Sequence, residues 1–111
     1  MYINKMSLSS LKYKINVADL PDTYVDALYQ LRPVEYDYTA DHFGGKHSIG
    51  LIAEEVVSHV PDVVLYSELD GTVDGLDYEK LIAPLVKIAQ DYKVRIQALE
   101  ERVALLEAPP A

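Results

Sequence analysis

Cysteine and tryptophan are both missing from these 111 residues, and phenylalanine occurs once. Without cysteine there is no disulfide framework and no thiolate metal site. No apolar run approaches the length needed to cross a bilayer, so no membrane partner is expected. The opening MYINKMSLSS has no hydrophobic stretch of the secretory kind, so no secretory signal is visible. Basic residues are few: ten Lys and Arg against eighteen Asp and Glu leave a net charge of −8. Such a balance argues against nucleic acid as partner, because binding a phosphate backbone needs clustered cations.

What is present is half hydrophobic, enough for one domain with a modest core. Nine tyrosines stand out. A tyrosine has an apolar ring and a polar tip, and suits surfaces that are covered in assembly yet still touch water.

Residues 1–10 read as an extended arm. Leu11, Tyr13, Ile15 and Val17 alternate with Lys12, Lys14 and Asn16, which predicts a strand. Asp22 is placed to cap a helix running through Leu31, stopped by Pro33. Val34, Tyr36 and Tyr38 alternate as a half-buried strand, followed by a Gly44-Gly45 turn within Asp41–His47 and a short apolar strand from Ile49 to Ala53. Glu54 to Val60 gives about two helical turns before Pro61. Val63–Tyr66 and Val73–Leu76 flank Asp70-Gly71, a hairpin signal. From Tyr78 the chain reads as helical almost to its end, with a kink or restart expected at Pro84.

That last helix carries the clearest pattern. With Ile82 at heptad position a, the core positions are Ile82, Leu85, Ala89, Tyr92, Ile96, Leu99, Val103 and Leu106. Arg95 and Arg102 fall at g, Glu100 and Glu107 at e, where a parallel partner brings opposite charges together. The pattern predicts a parallel, self-associating coiled coil. A helix packed only on its own domain would show a wider apolar stripe. The number of strands stays open: β-branched residues at a with Leu at d favour two, and Ala89 and Tyr92 blur that preference.

Other groupings carry less. His42, His47 and His59 lack the spacing of a zinc motif. Glu54 and Glu55 are adjacent on a helix and face different ways, so a first-turn dipole role fits them better than acid–base work. Glu68, Asp70, Asp74 and Asp77 lack the ligand order of a calcium loop and read as hairpin and capping residues. Neither a cofactor nor a metal ion is implied. On residue types alone, Ser7, Ser9 and Ser10 beside Lys12 and Lys14 fit a solvated strand.

SSLKYKINV at 9–17 is similar to the S-D-x-R-L-K-x-N-I opening of the intramolecular chaperone domains of phage tailspikes and tail fibres, the peptidase S74 family. LRPVEY at 31–36 resembles the family's L-x-P-V-x-Y, and GLIAEEV at 50–56 its G-x-I-A-Q-E-V, followed by Pro61 and Val64. Gly71 through Leu81 resembles G-x-x-x-V-x-Y-x-x-L, leading into the long helix. Ser10 stands where the family has Asp, and Lys12 where it has Arg.

The resemblance implies a homotrimer that helps an upstream fibre or β-helix of the same precursor to fold, then releases itself. By position it makes Ser9 the nucleophile, Lys14 the general base and Leu8–Ser9 the scissile bond. In a strand, Lys12 would share a face with Lys14 and disfavour its charge. The expected fold is α+β: a globular part over 9–77, after an upstream arm at 1–8, then a parallel trimeric coiled-coil helix over 78–107 and a short tail at 108–111. The expected setting is the host cytoplasm during virion assembly. A non-cleaving trimerisation module of a fibre and a generic coiled-coil adaptor are the alternatives.

Overall fold

The computed structural model describes residues 8–110; the part of the expected arm at 1–7 lies outside them. Helices are α1 (Asp22–Leu28), α2 (Ala53–Val56) and α3 (Ile82–Glu107). Strands are β1 (Val34–Asp37), β2 (His47–Gly50), β3 (Val64–Tyr66) and β4 (Val73–Leu76). The strands form two separate antiparallel pairs, β1 with β2 and β3 with β4. In the first, Glu35 lies opposite Ile49 and Asp37 opposite His47. The fold is thus mixed α and β with a long C-terminal helix.

The core is small. Val56, Val60, Val63, Val64 and Leu81 are buried together, ringed by Tyr24, Leu28, Leu51, Val73 and Leu76 among others. The five buried residues come from α2 and its exit, the turn into β3, β3 itself and the root of α3, and α1 packs against them through Tyr24 and Leu28. Tight apolar packing of this kind is the main stabilising contribution available to so short a chain.

Prolines set most boundaries. Val60 leaves the helical region (φ −136°, ψ 73°) ahead of Pro61, which therefore closes the turns that follow α2. The regular helix is shorter than the two turns expected from Glu54 to Val60. Similarly α1 ends at Leu28, not Leu31. Tyr29, Gln30 and Leu31 donate to carbonyls three residues back, a tightened last turn before Pro33. Asp22 is the first residue of α1 rather than its cap, which is Pro21. β2 starts two residues before the expected strand and stops at Gly50. The glycine loop returns the chain opposite Asp37, and Tyr38 N–H donates to the Lys46 carbonyl at 3.0 Å to close it. Phe43, Gly44 and Gly45 all take positive φ there. The β3–β4 hairpin is held where Asp70-Gly71 placed it: Gly71 has φ 72° and donates to the Ser67 carbonyl at 2.8 Å.

The predicted strand at Leu11–Val17 is not formed. Leu11–Tyr13 is a single 3-10 turn, with the Ser10 hydroxyl accepting the Lys12 N–H at 3.4 Å. Alternating residues make a strand only when a neighbouring strand meets their backbone, and none does so here among the described residues. Asn16, at φ 54°, also breaks the extended path. Leu11, Ile15 and Val17 are left 73%, 85% and 68% exposed.

At the far end a 3-10 segment over Tyr78–Leu81 passes into the 26-residue α3. The restart comes two residues before Pro84, which sits in the first α turn where its missing N–H costs nothing. The helix turns two faces outward from its axis. Leu81, Pro84, Ile88 and Asp91 are buried or half-buried against the domain, whereas Ile82, Leu85, Ile96, Leu99, Val103 and Leu106 are exposed. Its root is fixed to α1 by Lys87 Nζ, 3.1 Å from Asp22 Oδ1, and by a hydrogen bond between the Tyr29 and Tyr92 hydroxyls. The molecule extends 72 × 39 × 28 Å, its length set by α3. No helix among the described residues is long and apolar enough to cross a membrane.

Candidate functional site

The N-terminal turn decides where the serine and lysines go. Five residues of strand would hold Ser9 and Lys14 about 16 Å apart and on opposite faces. The 3-10 turn folds the chain back instead, and Lys14 Nζ donates to Ser9 Oγ at 3.2 Å. Tyr13 N–H bonds to the Ser10 carbonyl and Lys14 N–H to that of Leu11, both at 3.0 Å, and these close the loop. The element expected from the sequence was wrong, and it is the turn in its place that joins the two side chains.

Lys12 and Lys14 share no strand face, because no strand forms here. The Lys12 ammonium lies 5.1 Å from the centre of the Tyr13 ring. Ser9 and Lys14 are both open to solvent, and Leu8, ahead of the serine, is 68% exposed. The peptide bond between Leu8 and Ser9 is therefore accessible. A lysine serves as a base only when neutral, a state favoured by excluding water. Among the described residues of the lone chain nothing covers the pair.

A second feature combines residues that sequence reasoning had assigned separately. A cleft of about 470 Å³ lies among β1, β4 and the entry to α2, lined by Tyr36, Tyr38, Leu51, Glu54, Asp74 and Leu76 among others. Tyr36 and Tyr38 meet edge to face at 5.2 Å, and Tyr38 packs on Phe43 at 4.7 Å. The Tyr78 hydroxyl accepts the Leu51 N–H at 3.0 Å, in the space left by Gly50. The abundance of tyrosine was the only advance signal, because residues so distant in sequence meet only through the fold.

Glu55, Asp70, His42 and His47 serve local structure. Glu55 takes both its oxygens to Arg32, at 3.0 and 2.6 Å, tying the chain before β1 to α2. The guanidinium holds the Glu55 carboxyl below its ordinary range. Asp70 accepts from the Thr72 hydroxyl (2.7 Å) and N–H (3.1 Å), which holds its carboxyl low as well. Asp77 occupies the capping position before Tyr78 but makes no side-chain cap bond. His47 lies between Asp37 (2.6 Å) and Glu35 (3.2 Å), while His42 is bonded to Thr39 at 2.9 Å.

No curated protein matches the chain. A family model does match, over residues 9–65, just over half the length, and its description is chaperone of endosialidase. Those residues take in the turn that pairs Ser9 with Lys14, the Arg32–Glu55 tie, β1, β2 and α2, and end within β3. The chain accordingly belongs to the peptidase S74 family of endosialidase chaperones.

Proposed function

We propose that this chain is an intramolecular chaperone that brings three copies together, assists the folding of an upstream phage tail fibre or tailspike, and then cuts itself free at Leu8–Ser9. The observation that carries the cleavage step is the 3.2 Å hydrogen bond from Lys14 Nζ to Ser9 Oγ, inside the residues that match the family. The exposed seam of α3 supports self-association.

The chemistry follows from the pair. Neutral Lys14 takes the Ser9 hydroxyl proton as Oγ attacks the carbonyl carbon of Leu8. The C–N bond breaks, the proton passes to the departing amine, and Leu8 is left as an ester on Ser9 Oγ. Water hydrolyses that ester, giving a Leu8 carboxylate and a chain that begins at a free Ser9 amine. No cofactor or metal enters. The solvent exposure of the pair in the single chain supports a reaction that waits for a neighbour to exclude water, so that cutting follows assembly.

A fusion behind a natural fibre segment tests this on a denaturing gel. The wild-type fusion is expected to split into two bands, while Ser9→Ala and Lys14→Ala remain full length. A wild-type fusion that also stays whole would remove the protease step and leave a non-cleaving trimerisation module. That second reading is favoured by Ser10, which stands in place of the family's acidic residue.

A further inference from the structure

The charges of this chain are segregated. Residues 1–18 hold three lysines and no acid, whereas residues 19–111 hold seven Lys or Arg against eighteen Asp or Glu, a net −11. The basic stretch also leaves its apolar side chains uncovered: Leu11, Tyr13, Ile15 and Val17 are all exposed. Conversely, the tyrosine cleft presents apolar rings and aliphatic groups flanked by Glu54 and Asp74, with no basic residue lining it among the described residues. β1 and β4, which contribute to it, each belong to a two-stranded sheet and keep one unpaired edge. Among the described residues, none from Leu8 to Val17 lines this cleft in its own chain.

We infer that the cleft receives residues Leu11–Val17 of a second copy of this chain. Tyr13, Ile15 and Val17 go against the tyrosine and leucine surfaces, and Lys12 against the carboxylates of Glu54 and Asp74. Opposite charge selects the arm over the acidic remainder of the chain, and apolar cover stabilises it once seated. Each copy offers one arm and one cleft, so all are filled either by reciprocal exchange between two copies or by a closed ring of more. The inference rests on the self-association proposed above and adds the surface through which neighbouring globular parts engage.

Native cysteine is absent, so a disulfide test is free of background. At Gly75 of β4, within the cleft, an added Cβ meets nothing within 4 Å. Chains carrying Ile15→Cys and differently tagged chains carrying Gly75→Cys would be co-expressed, oxidised and run on a non-reducing gel, with light scattering in parallel. The expected product is a mixed-tag species of two chains, its yield falling several-fold between 0.05 and 0.5 M salt as screening shortens. Lys12→Glu should lower the yield likewise, and adding Glu54→Lys with Asp74→Lys should restore it. An oligomer by scattering that gives no mixed bond overturns the arm contact and leaves self-association standing. A monomer by scattering overturns both. A double variant that closes only within one chain, or a yield indifferent to Lys12→Glu, overturns the exchange.

Discussion

Gly50 and Tyr78 show how one atom's absence is used. A Cβ on Gly50 would lie 2.6 Å from the Tyr78 hydroxyl, which bonds to the Leu51 N–H at 3.0 Å. Gly50→Ala must displace that hydroxyl, and Tyr78→Phe removes it. Each is expected to cost about 1 kcal/mol, the usual worth of such a hydrogen bond. If the two share one cause, the double variant costs clearly less than their sum in urea unfolding; full additivity would separate them. At the Arg32–Glu55 pair the sign is set by the depressed carboxyl. Its contribution to stability is fully present above the unfolded glutamate value of about 4.3 and is lost as pH falls through the lower folded value. Comparing wild type with Arg32→Met by chemical unfolding from pH 7 down to pH 2, the stability gap should narrow only at the acid end. A gap that is constant with pH would assign the pair no electrostatic role.

Among the elements, α3 carries the longest row of exposed apolar residues. Leu99 at a seam position is 57% exposed and Leu105, off the seam, 77% exposed, so both are open in the single chain. Leu99→Asp should abolish self-association measured by sedimentation, whereas Leu105→Asp should leave it intact. Equal effects would argue against the heptad seam. This helix and the β3–β4 hairpin were legible in the sequence because their signals are local: a repeat of seven, and an Asp-Gly that accepts positive φ. The N-terminal arm was not. Its alternation of Leu11, Tyr13, Ile15 and Val17 is a strand's pattern, yet pairing is a property of two segments, and no second one meets it among the described residues. Ser9 and Lys14 were picked out through family resemblance; spacing alone gave no reason to join them. The cleft was illegible for the same reason as the arm, since Tyr36, Glu54 and Asp74 meet only after folding.

For the whole molecule, the small core makes each buried side chain consequential. Leu81 is 6% exposed and belongs both to that core and to the entrance of α3. Leu81→Ala should destabilise the domain by about 2–5 kcal/mol, read as a lower urea midpoint with helix and tyrosine signals lost together. Separate transitions would mean that the helix melts independently. The joint has a further consequence. Asp77 N–H is tied to the Val63 carbonyl at 2.7 Å, Tyr78 to Leu51, Lys87 to Asp22, and Pro84 is buried. The base of the helix is therefore keyed into the globular head like a shaft into a hub. Whatever grips the distal turns sets the compass heading of the head. One residue deleted just after Tyr92, past the joint, would swing the head by about 100° relative to the distal seam, pointing its arm and cleft away from their neighbours.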